Sequence, residues 1–223
     1  MSGKGREILE ELRSVLSGKT LDAILPSLFF VIFNNLLGLE AASVIAITTA
    51  LSFGVYRLRR KQNARYAFGG LLGVVIAVVF AYFAGSAADF FLPRIISSGG
   101  MVLVSLLTLF TRKPLAAWIS HLTRGWPMEW FRRPDVLPAY REVTILWTVL
   151  LAVRFMVQLQ LYQGNDLNQI FLISTLMGTP GTIFVLVLSY VYGIWRLKNL
   201  RGPGVDEYLE GKPAPWRGQN RGF

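Results

Sequence analysis

The chain has 223 residues, a formal net charge of +10 and no cysteine, which excludes disulfides, thiolate metal sites and cysteine nucleophiles. Apolar residues make up 53% of the chain and charged residues 16%, but the charges gather in short clusters with long apolar tracts between them. Tracts of this kind predict an all-α integral membrane protein rather than a soluble enzyme. The basic clusters lie at the ends of these tracts, where they contact anionic lipid headgroups, so no nucleic-acid partner is expected.

Residues 1–19 predict a cytoplasmic amphipathic helix. From Arg6 to Leu16 the apolar side chains share one helical face, and three glutamates occupy another. The segment has neither the apolar core nor the small-residue cleavage site of a secretory signal. Membrane insertion is therefore expected to depend on the later tracts.

Six apolar tracts within residues 20–201 predict a transmembrane domain of three helical hairpins, since a spanning helix needs about 20 residues. The tracts are 21–39, 41–56, 67–83, 90–110, 143–162 and 167–195. Of the 23 Lys and Arg residues, 21 lie in the N-terminal segment, the second and fourth connections and the tail. The positive-inside rule then predicts a cell (inner) membrane protein with both termini in the cytoplasm.

Two cytoplasmic segments lie outside these tracts. Residues 114–137 carry Trp118, Trp126, Trp130 and Phe131 among arginines, a mixture that predicts a second interfacial segment at the headgroup level. The tail, residues 202–223, is rich in glycine, proline and charge and has no helical periodicity. This composition predicts a disordered tail.

Arg154, near the middle of the fifth tract, is the main candidate site residue. An arginine at the bilayer centre costs about 2.5 to 3.5 kcal/mol on insertion scales, so it is expected to face the bundle interior or water. Gln158 lies one turn further along the same helical face. Two interpretations stay open: a structural arginine held by carbonyls or a carboxylate, and an arginine that binds a ligand.

Other polar residues are expected to complete a buried cluster with Arg154. Asp89 and Glu40 are the candidate carboxylates, because a long arginine side chain can extend towards the outer rim. Asn34 and Asn35 reach a comparable depth and are candidate neutral partners. These amides could instead hold the bundle together through interhelical hydrogen bonds.

The sixth tract contains a predicted helix break at Gly178, Thr179, Pro180 and Gly181. Proline removes a backbone donor and crowds the preceding turn, and glycine weakens the helix on both sides. A kink or an unwound turn is therefore expected between Gly178 and Thr182. Such breaks line substrate cavities in transporters, although many prolines only bend a transmembrane helix.

No cofactor, metal site or catalytic residue is predicted. The single histidine, His121, has no acidic or cysteine partner nearby in the sequence, and phosphate-binding loops and paired catalytic carboxylates are absent from it.

Five stretches of the sequence resemble a known family. They are 87–93, 112–115, 137–147, 154–158 and 161–162. Together they are similar to an uncharacterised actinobacterial membrane family known only as a domain of unknown function, over roughly Thr20 to Arg196. The layout is also distantly similar to the intracellular septation protein A family of inner-membrane proteins. The first resemblance places Asp89, Pro93, Arg154 and Gln158 in signature stretches, and the second implies a role among envelope-building partners.

These features predict a non-enzymatic multi-pass protein that supports cell-envelope biogenesis, as a scaffold or as a bundle that binds an amphiphile. Its expected partners are the bilayer, anionic headgroups at the basic cytoplasmic face, and a protein partner or a second copy of the chain. The alternative is a small transporter with an anion or headgroup site at Arg154 and the broken sixth helix. A membrane-embedded enzyme ranks third, because candidate acids, bases and metal ligands are sparse.

Overall fold

A computed structural model describes residues 21–60, 64–219 and 222–223. The predicted amphipathic helix in residues 1–19 lies outside the described residues. Every regular element in the described part of the chain is helical, as predicted. The α-helices are α1 Leu21–Leu37, α2 Leu39–Arg59, α3 Ala64–Ala84, α4 Leu92–Leu109, α5 Leu115–Arg124, α6 Met128–Phe131, α7 Leu137–Gln163, α8 Leu167–Leu176, α9 Thr179–Leu200 and α10 Val205–Leu209. A 3₁₀ helix, Ala87–Phe91, precedes α4.

Four helical segments are long and apolar enough to cross a membrane. They are Leu39–Arg59, Ala87–Leu109, Leu137–Gln163 and Leu167–Leu200. Two further apolar stretches, Ile24–Leu37 and Phe68–Ala84, are helical but shorter. All six predicted tracts therefore coincide with helix, while length and composition establish four candidate spans rather than six.

The described residues divide into two compact units. Unit 1 contains the residues up to Ile95 together with Gln158–Thr179. Unit 2 contains Ile96–Val157 and Pro180–Phe223.

Unit 1 is built on a tight hairpin of α1 and α2. Gly38 alone separates the two helices, and the buried alanines Ala42 and Ala46 allow α2 to pack closely. Phe30 of α1 stacks on Phe90 with 4.0 Å between ring centroids. This aromatic contact holds the 3₁₀ helix against α1, since stacked rings bury a large apolar area.

Unit 2 contains a cluster of buried rings, here called the aromatic core: Trp126, Trp130, Phe131, Tyr140 and Phe223. Trp130 and Phe131 are fully buried. The headgroup-level position of residues 114–137 stays a prediction, but Trp126, Trp130 and Phe131 are buried inside the protein rather than displayed on its surface. Trp118 alone of the four is exposed, at 38%. The reason is that α7 and the tail supply apolar partners that bury these rings more fully than an interface would.

In the described part of residues 202–223 the tail is folded, which differs from the disorder that its composition predicts. The short helix α10 begins at Val205, which is fully buried. Trp130 donates its Nε1 hydrogen to the carbonyl oxygen of Pro203 at 3.0 Å. Phe223 stacks on Tyr140 with 4.3 Å between centroids. A few apolar residues with long-range partners thus order a segment of polar composition.

Candidate functional site

Arg154 lies on α7 in unit 2 and is half-buried. Its Nε atom is buried and has no hydrogen-bond partner among the described residues. The ion pairs found in the described part of the chain involve other residues, so the structure does not place a carboxylate on Arg154. An arginine that keeps its charge and lacks a partner inside an apolar segment is a costly arrangement.

Gln158 lies one turn after Arg154 on α7 and is 1% exposed. Its amide nitrogen makes a long hydrogen bond of 3.4 Å to the Ser174 hydroxyl of α8, within unit 1. The amide oxygen, Oε1, is buried without a partner among the described residues. The acceptor side of this amide is therefore unused.

The two candidate carboxylates have separate environments. Asp89 is buried in the 3₁₀ helix of unit 1, where its Oδ1 accepts a short hydrogen bond from the Tyr162 hydroxyl of α7. Glu40 is exposed in the first turn of α2, where a carboxylate favours the positive end of the helix dipole. Asp89 therefore pins the 3₁₀ helix to the end of α7, and Glu40 lies at a helix start.

The two asparagines line an open cleft in unit 1 of about 500 Å³. Its polar lining residues, here called the amide cleft, are Asn34, Asn35, Ser86, Asn165, Asp166 and Asn168. Asn35 donates its side-chain amide to the Asn168 side-chain oxygen at 3.1 Å, which links α1 to α8. Of the predicted polar cluster, the structure brings Asn34 and Asn35 together here.

The helical run of the sixth tract is interrupted at Met177 and Gly178, between α8 and α9. Pro180 follows in the first turn of α9, so the interruption includes Gly178 of the predicted break and begins one residue before it. Proline at this position leaves the carbonyl oxygen four residues earlier without its usual backbone donor. The loss of that hydrogen bond explains why α8 ends at Leu176.

Arg94 is one of the two basic residues that lie outside the predicted cytoplasmic clusters. In unit 1, a Cβ atom on Gly178 would lie only 2.8 Å from Nη2 of Arg94, so the guanidinium packs directly over the interruption. A cation beside the last turn of α8 is favourable, because the helix dipole is negative there. Nothing in the spacing of Arg94 and Gly178 along the chain signals this contact.

Unit 2 contains a polar connection between α7 and α9 that the sequence pattern does not predict. Glu142 of α7 accepts two hydrogen bonds from Arg196 of α9, at 2.7 and 2.8 Å, and a third from the Tyr192 hydroxyl at 2.7 Å. This bidentate geometry fixes one helix against the other. The nearby Trp147 donates to the Ser189 hydroxyl at 2.6 Å, which adds a second link between α7 and α9.

Comparison with known proteins gives one match. A family model described as "Protein of unknown function (DUF3159)" matches residues 17–198, close to the range over which the sequence resembles a family of unknown function. No curated protein and no solved structure matches the chain. The match covers α1 to α9 and ends before the tail.

Proposed function

Because this chain belongs to the DUF3159 family of proteins of unknown function, we propose its function from its own residues: it is a multi-pass membrane protein that binds an anionic amphiphile through Arg154. The role is non-enzymatic and supports construction of the cell envelope. The envelope assignment rests on the resemblance to the septation protein A family. The proposal that the protein binds an anionic amphiphile rests on the environment of Arg154, as follows.

The observation that carries the proposal is the buried, unpartnered Nε of Arg154. Arginine does not shed its proton in a protein, so the cost of burial must be met by an opposite charge or by water. A structural arginine would be expected to carry a carboxylate or carbonyl partner within the fold. Since the described residues offer none, a carboxylate or phosphate group of a bound molecule is the compensating partner that we propose.

The proposal includes six spans, with both termini in the cytoplasm of a cell whose inner membrane holds the protein. The concentration of basic residues on alternate connections supports this orientation. Reporter fusions after Arg124 should report a cytoplasmic location, and fusions near Glu40 and Asp166 an external one. The opposite pattern would refute the proposed orientation and the depth in the membrane that this orientation assigns to Arg154.

Anionic lipid headgroups at the basic end are further proposed partners. On α5, Trp118, Ile119 and Leu122 are exposed, and Lys113 lies over the Trp118 ring at 5.6 Å. Arg124, at the end of the same helix, lies over Trp126 at 4.8 Å. Exposed apolar side chains beside cations suit the boundary between acyl chains and phosphates.

The test is the set of lipids that remains bound after purification in mild detergent. Native mass spectrometry should find an anionic amphiphile on the wild-type protein and about tenfold to a hundredfold less on Arg154→Gln, the loss expected for charge-assisted hydrogen bonds worth about 1.5 to 3 kcal/mol. Arg154→Lys should retain part of the binding, because it keeps the charge without the planar fork. Arg141→Gln is the matched control, since Arg141 is an exposed arginine on the same helix. Equal retention by Arg154→Gln and wild type would refute the proposal.

A small transporter is the second candidate. The interruption at Met177 and Gly178 favours it, because broken helices at membrane depth allow alternating access. Proteoliposomes loaded with the identified amphiphile or its free headgroup should then show exchange across the bilayer that Arg154→Gln abolishes. Binding without exchange would leave the amphiphile-binding function and exclude the transporter.

A further inference from the structure

The amide cleft in unit 1 has the size and the lining of a binding site. Its volume of about 500 Å³ lies within the range of small-molecule sites, about 300 to 1,000 Å³. Polar atoms dominate its surface. Ala87, Ala88, Gly164 and Leu167 form the rest of the wall, and the first three are small and leave the amides accessible.

Hydrogen bonds fix the walls of the cleft. Asp166 caps α8 by accepting from the backbone N–H groups of Asn168 and Gln169, both at 3.1 Å. Asn165, in the preceding turn, has a positive φ of 53°, a conformation that asparagine tolerates better than most residues. Asp89, which follows Ala88 of the wall in the sequence, accepts a hydrogen bond from the Tyr162 hydroxyl. The cleft is therefore held from α1, the 3₁₀ helix and the turn before α8, and does not depend on one flexible loop.

The chemistry of the lining selects a class of ligand. Each asparagine offers two donors and one acceptor, and Ser86 and the second Asp166 oxygen add hydroxyl and carboxylate groups. Among the residues that the structure describes, the lining contains no lysine, arginine or histidine, which disfavours phosphate and carboxylate ligands. A hydroxyl group donates and accepts at once, so a molecule with several hydroxyls can satisfy this mixed set.

We propose that the amide cleft binds a neutral, hydroxyl-rich group, namely a sugar or polyol. The same chemistry is carried by a free sugar and by the headgroup of a glycolipid. The proposal is independent of the binding of an anion at Arg154, because it rests on a different set of residues and on an uncharged ligand.

The experiment uses the absence of cysteine from the chain. Ser86→Cys places one thiol in the cleft, and Gln163→Cys places one at an exposed position of the same region outside the lining. Each full-length variant is reconstituted in phosphatidylcholine nanodiscs and labelled with a hydrophilic maleimide. The probes are glucose, galactose, mannose and myo-inositol in solution, and digalactosyldiacylglycerol in the nanodisc.

A hydroxyl-rich ligand should slow labelling of Ser86→Cys by about threefold at about twice its Kd, as occupancy predicts, and leave Gln163→Cys unchanged. Protection by the free compounds identifies a soluble sugar or polyol, and protection by the galactolipid alone identifies a glycolipid headgroup. Adding Asn34→Leu should remove the protection, because Asn34 lines the cleft and its side chain makes no hydrogen bond to the other residues that the structure describes. Protection by none of these probes, equal slowing at Gln163→Cys, or protection by calcium chloride or inorganic phosphate in their place would overturn the proposal.

Discussion

The aromatic core of unit 2 and the amide cleft of unit 1 are opposites in how they use polar atoms. In the aromatic core, Trp130 is fully buried, and its indole N–H, the only donor of the side chain, donates to the carbonyl oxygen of Pro203. In the cleft, Asn34 and Asn35 retain hydrogen-bonding capacity at the surface. The buried Trp130 indole is satisfied and contributes stability, while the hydroxyl of Tyr140 in the same core is buried without a partner among the described residues. Exposed and partly used groups, by contrast, are free to bind. The contrast assigns stability to the first region and recognition to the second.

The largest effect is expected for Trp130→Ala in the aromatic core. Truncating a fully buried tryptophan should destabilise the protein by about 3 to 5 kcal/mol and leave the Pro203 carbonyl without its donor. Thermal unfolding in detergent measures the loss. Trp118→Ala is the control, because Trp118 is 38% exposed and should cost far less. Similar melting temperatures for the two variants would break the assignment of stability to the aromatic core.

A smaller loss, about 1 to 2 kcal/mol, is expected for Glu142→Gln in the same unit. The substitution weakens the bidentate contact with Arg196 and the hydrogen bond from Tyr192, while both ionic side chains remain 31% exposed and so partly screened. A double-mutant cycle with Arg196→Gln measures the coupling. Additive effects of the two substitutions would mean that the pair does not hold α7 to α9.

Lowering the pH should destabilise the folded tail, because it protonates the Glu207 carboxylate. Backbone N–H groups of Arg217, Gly204 and Gly218 donate to this carboxylate and hold the pKa of Glu207 below its usual range. The stability that these hydrogen bonds give the folded protein is fully present above the ordinary glutamate pKa of about 4.3. It is lost as the pH falls through the lower pKa of Glu207 in the folded state. Unfolding measured between neutral and acidic pH should show this loss in wild type. Glu207→Gln should be less stable near neutral pH and lack that component.

The smallest effect on stability is expected in the cleft, where Asn168→Ala removes an exposed hydrogen bond to Asn35. The free energy of unfolding should change by about 0.5 kcal/mol or less, as for most surface substitutions. Protection of the Ser86→Cys thiol by a bound sugar should nevertheless fall. A large drop in stability without loss of protection would reverse the contrast between the two regions.

The sequence predicts helices well because apolar tracts of this length have few alternatives to helix. The burial of Trp126, Trp130 and Phe131 could not be predicted in the same way. Aromatic and basic residues together are typical both of a headgroup layer and of a buried cluster with cations at its edge, and only the long-range partners in α7 and the tail decide between them. Local composition also misjudged the tail, since its order depends on Val205 and Phe223.

The candidate site was partly predictable. Arg154 and Gln158 were identified because a polar residue in an apolar tract is visible in the sequence alone. The expected pairing of Arg154 with Asp89 or Glu40 rested on depth along the helices, which says nothing about direction around the helix axis. The contact of Arg94 with Gly178 could not be predicted, because it joins residues that lie far apart in the chain.

The packing of Phe223 over Gly193 limits the side chains that position 193 can carry. A Cβ atom at Gly193 would lie 2.2 Å from the Phe223 ring, so any larger residue at 193 must displace the ring. Gly193 lies inside the matched range 17–198 and Phe223 outside it. The two positions are therefore coupled by this contact. A relative in which no ring occupies the place of Phe223 would tolerate a larger side chain at the position of Gly193, so the residue at that position would report whether a tail docks there.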